Sequence, residues 1–316
     1  MNFPSALVEK VSRFFGDEGE AWLADLPNLL ERCRAKWDLH DTVMAPFMSI
    51  NYIEFAATPD GEPVALKVGV PHPELFTEME ALSIYAERGT VPLIDADRDL
   101  GAILMRRLQP GTMLWELGDD SRETAIAASV IQNLHVPVPA QHSVPPFSAW
   151  VERAFRLTRI EWDPGELMPR DLIDAAEQAF REITGQRDDL VVLHGDLHHE
   201  NILLDDQSGW TVIDPKGAVG PKCLEVGRFL HNRLPSEGWQ DVMRERIRIF
   251  SSELGYSGRT IAACGLVDRV LSRCWSLEDG HVSDDWPVSI EQGRFCQSMW
   301  ADVSDNGPFL AERLLR

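Results

Sequence analysis

The chain reads as an α+β protein of two lobes, a five-stranded antiparallel sheet built by the first third of the sequence and a mainly helical lobe built by the rest. Three observations predict this. Short β-rich stretches separated by polar turns run up to Met105, a Pro110-Gly111 pair interrupts the pattern, and from Arg122 onward apolar residues recur at helical spacing. The interruption divides the chain into residues 1–108, a helical extension plus the first lobe, and residues 109–316, the helical lobe.

Taken in order, Glu20 to Trp37 places Trp22, Leu26, Leu29, Leu30, Cys33 and Trp37 on one helical face, with Pro27 expected to kink or split it. Strands follow near Met44 to Phe47 and Tyr52 to Ala57, then a turn at Thr58 to Gly61 and a third strand through Lys67. Pro73 to Arg88 is a helix with Leu75, Met79, Leu82 and Ala86 on one face and Gly89 as its stop. Val91 to Ile94 and Gly101 to Met105 complete the sheet. In the second lobe, Arg122 to Leu134 and Asp171 to Thr184 are helices, and the prolines at 137, 139, 145 and 146 make a loop between them. Leu224 to Arg233, Gly238 to Leu254 and Arg259 to Glu278 continue the helical pattern. Beyond them Trp275, Trp286 and Trp300, with the acids Glu278, Asp279, Asp284 and Asp285, suit either core or the wall of a cationic substrate site.

Chemistry concentrates in His194 to Asp214. Asp196 and Asn201 stand five positions apart, the offset between base and metal-binding amide in the catalytic loop of protein kinases. Ile202 to Leu204 and Trp210 to Ile213 read as the arms of a hairpin, which returns Asp214 to the side of Asn201. A carboxylate and an amide oxygen side by side make a sparse oxygen site, suited to Mg²⁺ that takes further ligands from nucleotide phosphates. Asp196 then stands outside the metal as a proton acceptor. His194, His198 and His199 lie on a strand end and a tight loop, with no Cys pair at ligand spacing and no H-E-x-x-H helix, which argues against zinc in that cluster. His194 instead suits hydrogen bonding to the loop backbone.

Such a site requires a lysine on a strand to hold phosphates and an acid on the next helix to hold the lysine. Pro63-Val-Ala-Leu-Lys67-Val supplies the first and parallels the V-A-I-K pattern. Of the three acids on the following helix, Glu74, Glu78 and Glu80, the one expected to pair is Glu80, which borders the apolar stripe through Met79.

Composition narrows the function further. With 316 residues and 44% hydrophobic content the chain can bury a sizeable core, and no run of eighteen apolar residues marks a membrane span. Five cysteines without C-x-x-C spacing, and a first segment unlike a secretion signal, point to reduced thiols in the cytoplasm. A formal net charge of −21 disfavours nucleic acid and favours a cationic small molecule.

His-Gly-Asp-Leu-His-His at 194–199, Ile-Asp-Pro-Lys-Gly at 213–217 and Arg-Leu-Gln-Pro-Gly at 107–111 resemble the aminoglycoside phosphotransferase family, in its branch of streptomycin 6-kinases and hydroxyurea phosphotransferases. The pattern runs from about residue 40 to about 280. The resemblance implies a bilobal protein-kinase-like fold, Asp196 as catalytic base, Asn201 and Asp214 as Mg²⁺ ligands, and Lys67 with Glu80 at the α- and β-phosphates of ATP, with GTP an alternative. It implies adenine against the backbone near Arg107 and Leu108, and phosphate cover from Ser49 in a glycine-free turn. Glu225 stands where many relatives have Asp, an acid of longer reach. The activity implied is phosphorylation of a small-molecule hydroxyl, most directly on an aminoglycoside of the streptomycin type. The alternatives are hydroxyurea, a housekeeping metabolite, or a regulatory pseudokinase that only binds nucleotide.

Overall fold

The computed structural model describes residues 3–46, 48–161, 167–185, 190–280 and 282–302. Its first lobe is a sheet between two helices. Strands β1 (His40–Met44), β2 (Tyr52–Ala57), β3 (Pro63–Val68), β4 (Leu93–Asp97) and β5 (Ala102–Arg106) pair antiparallel in the order β1-β2-β3-β5-β4. The five-stranded sheet expected from the sequence is present, although its first strand begins earlier, at His40; position 47 lies outside the described residues.

Side-chain alternation explains why the central strands lack an exposed face. On β3 and β5, Val64, Leu66, Val68, Ala102 and Leu104 pack against the N-terminal helix α1 (Ser5–Trp37), with its Leu7, Val11, Trp22, Leu26, Leu30 and Cys33. The alternate residues Ile103 and Met105 face Leu75, Met79 and Leu82 of α2 (Pro73–Tyr85). Lys67 pairs in register with Ile103 and so belongs to the α2 face. Pro27 leaves α1 continuous, and the break falls at Gly16 instead, whose φ of 53° and ψ of −132° suit only glycine.

The second lobe begins with β6 (Pro110–Met113), which pairs with β9 (Ile202–Asp205); β9 forms a hairpin with β10 (Gly209–Val212). A further small sheet orders β11 (Ala218–Pro221), β8 (Leu190–Leu193) and β7 (Val136–Pro137). Helices α3 (Asp120–Leu134), α4 (Phe147–Glu161), α5 (Arg170–Gly185), α6 (Gly227–His231), α7 (Trp239–Leu254), α8 (Gly258–Glu278) and α9 (Trp286–Ala301) make up the rest of the described lobe. Helix α8 is its axis, packed by α4, α5, α6, α7 and α9. Helix α4 lies where the sequence suggested only a proline-rich loop. All four prolines precede Phe147, and Phe147, Val151, Ala154, Phe155 and Thr158 then form a buried helical stripe. No helix among the described residues is long and apolar enough to cross a membrane, and the five cysteines are buried with no disulfide between them.

Arg246 on α7 ties this lobe together from a position only 1% exposed. Its NH1 donates to the carbonyls of Phe229 (2.8 Å), Leu230 (3.2 Å) and Asn232 (2.7 Å), closing the C-terminal end of α6, while Nε and NH2 pair with Asp120 on α3. Arg246→Met should therefore cost about 3–5 kcal/mol, because it orphans the carbonyls and the carboxylate together. Urea denaturation would measure this, and a loss under about 1 kcal/mol would show that solvent replaces the guanidinium.

Candidate active site

The loop that follows β8 is held from behind by one acid. Glu225, buried in the 3-10 turn Lys222–Val226, accepts from the backbone N–H of His194 (2.7 Å) and of Gly195 (3.0 Å). Burial pushes its carboxyl up to about 7 despite those two donors. Gly195 has a φ of 78° and lies against Trp150, where a Cβ would come within 3.0 Å of the indole. His194 lies 2.8 Å through Nε2 from the Ile213 carbonyl, and its Nδ1 receives the Asp196 N–H at 3.3 Å. That network assigns a neutral Nε2–H tautomer, and burial lowers the ring to about 4. His194 orders the backbone, as expected.

The hairpin then does what its spacing requires. Ile213 N–H donates to the Asn201 carbonyl at 3.0 Å, closing the hairpin, and Asn201 Nδ2 donates to the Asp196 carbonyl at 3.0 Å. The Asn201 side-chain oxygen is thereby left free for another partner. Asp196, Asn201, Asp214, Lys67 and Ser49 line one cavity of about 360 Å³. Arg107 and Leu108 stay outside it, in the segment joining β5 to β6. Leu108 packs with Ile103, Met105, Leu203 and Ile213 between the lobes, and the Arg107 guanidinium lies 3.8 Å over the Phe55 ring. A larger groove of about 830 Å³ between α4 and α5 holds none of these groups.

Glu80 is not the partner of Lys67. Lys67 Nζ lies 2.7 and 2.8 Å from the two carboxylate oxygens of Glu78 and 3.2 Å from Asp214 Oδ1. Leu75, Glu78, Leu82 and Tyr85 follow helical spacing on the buried face, so Glu78 is the acid inside the stripe. Glu80, two residues on, is rotated by about 200° and binds the Ser143 N–H and hydroxyl instead. Burial works against the charge on Lys67, but Asp214 and Glu78 outweigh it and hold the ammonium above the ordinary lysine value.

Around Asp196 the balance is also set by cations. Burial opposes its ionisation, yet the surrounding charges, Arg228 and Lys216 foremost, outweigh it and hold the carboxyl at about 2. Arg228 Nε stands 3.1 Å from Asp196 Oδ1 and 3.6 Å from Asp268. Lys216 lies 5.1 Å over the Trp275 ring, which meets Trp150 edge-on at 5.8 Å. Of the tryptophans noted near the end of the sequence, Trp275 alone adjoins these groups. Trp286 and Trp300 are core residues whose indoles donate to the Leu167 carbonyl and to Glu182. Arg228, Lys216 and Trp150 were not anticipated from sequence. Lys216 had a signal, since it follows Asp214 by two positions, whereas Arg228 and Trp150 reach the site only through tertiary packing. The three clustered histidines diverge: His194 turns to Ile213, His198 to Glu200 and His199 to Asn232.

A family model for the aminoglycoside/hydroxyurea antibiotic resistance kinases matches residues 36–280. The chain is 28% identical over 288 residues to a streptomycin 6-kinase of Streptomyces griseus, covering 89% of this chain and 92% of that one. It is also 28% identical over 295 residues to a hydroxyurea phosphotransferase of Kitasatospora aureofaciens, covering 90% and 82%. Among solved structures, an amicoumacin kinase in complex with AMP-PNP and Ca²⁺ superposes with a TM-score of 0.62 at 15% identity, over 92% of this chain and 98% of that one. A choline kinase of Streptococcus pneumoniae gives 0.61 at 15% identity, over 88% and 99%. Those two likenesses establish the bilobal kinase-like fold. With the family model spanning most of its length, the chain belongs to the aminoglycoside/hydroxyurea antibiotic resistance kinases.

Proposed function

We propose that this protein transfers the γ-phosphoryl group of ATP to a hydroxyl of an aminoglycoside of the streptomycin type. The observation that carries the reading is the convergence of Asp196, Asn201, Asp214 and Lys67 on one cavity. Asp214 and the free amide oxygen of Asn201 form a hard-oxygen donor pair that fits Mg²⁺, which when bound with nucleotide would offset phosphate charge. Lys67, kept protonated by Glu78 and Asp214, supplies a fixed positive charge to the phosphates. Ser49 covers them from the β1–β2 turn, and backbone near Arg107 and Leu108 receives the base.

Asp196 acts as the proton acceptor. Arg228 occupies its Oδ1, which leaves Oδ2 for the acceptor hydroxyl. A carboxylate of such low basicity orients the hydroxyl and takes its proton only as the new O–P bond forms and the bond to the β-phosphate oxygen breaks, releasing ADP. The net charge of −21 favours capture of a cation at long range. Close to the base two cations, Lys216 and Arg228, flank Asp196. That local charge favours a second reading, a small neutral acceptor such as hydroxyurea.

Asp196→Asn should retain nucleotide binding and lose turnover by about 10²-fold to 10⁴-fold. Wild-type kcat/KM should lack an acid limb from this group down to about pH 5, since the ionised form is the active one and its value lies near 2. Arg228→Gln removes the main opposing cation, so the burial of Asp196 should raise its pKa and bring an acid limb into the measured range. A profile unchanged by Arg228→Gln would remove Arg228 from control of the base.

Asp214→Ala should weaken Mg²⁺-dependent nucleotide binding more than Asn201→Ala, because it removes the charged ligand. Calorimetry with and without Mg²⁺ decides this; equal, small losses would contradict the assigned donor pair.

For the substrate, kcat/KM for streptomycin should fall as ionic strength rises and the Debye length shortens from about 30 Å to about 8 Å, with kcat little changed. Hydroxyurea should show no such trend. Turnover of hydroxyurea without any of streptomycin would select the second reading.

A further inference from the structure

Away from the catalytic cavity, Asp120 and Glu123 in the first turn of α3 and His199 in the 3-10 turn His199–Asn201 each bring one ligand atom within 4.8 Å of the others. His199 is fully buried. Its Nδ1 lies 2.6 Å from Asn232 Oδ1, an oxygen that also accepts the His199 backbone N–H at 3.3 Å. Nδ1 is therefore the protonated nitrogen, and in the neutral ring Nε2 presents a bare lone pair. Nε2 has no hydrogen-bond partner and faces Glu123 Oε2 at 3.6 Å. Two acceptors facing each other in a buried space call for a proton or a cation between them, and 3.6 Å is too long for a direct hydrogen bond but leaves room for an ion bound to both.

The surrounding contacts match what orients metal ligands elsewhere. Asn232 fixes the histidine tautomer, and Phe229 stacks on the ring with centroids 3.9 Å apart. The Asp119 N–H binds Glu123 Oε1 at 3.1 Å, leaving Oε2 directed at His199. Arg246 holds Asp120, with Oδ1 carrying the closer contacts and Oδ2 only a 3.2 Å contact from Nε. Two carboxylates against one guanidinium leave one negative charge in excess.

We propose that Asp120, Glu123 and His199 bind a zinc ion at a site separate from the catalytic metal site. One imidazole nitrogen with two carboxylates suits Zn²⁺ rather than Mg²⁺, which prefers an all-oxygen octahedron, and three protein ligands leave the fourth position to water. The ion would join α3 to the turn that carries Asn201, two positions beyond His199.

The test is calorimetric titration of the full-length protein, freed of metal by chelator and dialysis, with Zn²⁺ in millimolar Mg²⁺ and without nucleotide. The wild type should bind one equivalent that Mg²⁺ does not displace. Glu123→Gln and His199→Asn should each weaken it at least about 100-fold, while Asp214→Asn should leave it in place. Anomalous scattering at the zinc edge from wild-type crystals, which needs no variant to fold, should place the ion between His199 Nε2 and Glu123 Oε2. The proposal is overturned if zinc does not bind, if it binds equally to the wild type and Glu123→Gln, or if Asp214→Asn removes it or the anomalous peak lies elsewhere. Failure to phosphorylate any acceptor would count against the proposed activity while leaving this site untouched.

Discussion

One ammonium group shared by two carboxylates holds this protein in its working arrangement. Lys67 comes from the third strand, Glu78 from the helix that follows it, and Asp214 from the end of the hairpin in the other lobe. The Lys67 and Glu78 side chains are almost wholly buried, so neither charge is tolerable without its partner. Asp214 remains partly exposed at the cavity, with a left-handed φ of 58°. The trio therefore fixes helix, strand and hairpin relative to one another and leaves one carboxylate facing the cavity.

A second set of charges acts on Asp196, the proposed base. Arg228, between Asp196 and Asp268, keeps that carboxylate ionised at the cost of its basicity. In the proposed reaction, proton removal by such a group does not run ahead of phosphoryl transfer. The loop that carries Asp196 is fixed in position, with Glu225 and His194 holding it from behind and Trp150 closing against Gly195.

What the sequence made legible was local. Asp196, Asn201 and Asp214 lie within nineteen positions, joined by one hairpin whose geometry follows from its turn, and so their meeting could be read directly. Lys67 was legible as a charge inside an apolar strand. Glu78 carries the same signal, a charge inside an apolar helical stripe, whereas the expected partner, Glu80, lies on the border of that stripe two residues out of register. Helix α4 was hidden by the four prolines before it. Arg228 and Trp150, like the approach of His199 to Glu123, depend on how α3, α4, α6 and α8 pack, and no spacing along the chain encodes that.

The hairpin has a mechanical consequence as well. Its second strand exchanges backbone hydrogen bonds with the segment between α2 and β4, Val91 N–H to Val212 O and Val212 N–H to Gly89 O, both 2.8 Å, while Asp206 N–H reaches the Gln109 carbonyl at 2.6 Å. The arm that carries Asp214 is thus sewn to the first lobe through Gly89 and Val91, the hairpin turn is tied to the segment that joins the lobes, and Tyr85 adds a bond from α2 to the Val192 carbonyl. A rigid rotation of one lobe away from the other would have to tear main-chain bonds beside the residues proposed to hold the phosphates. The hairpin therefore does more than present Asp214 to the cavity: it couples the two lobes through main chain rather than through side chains alone.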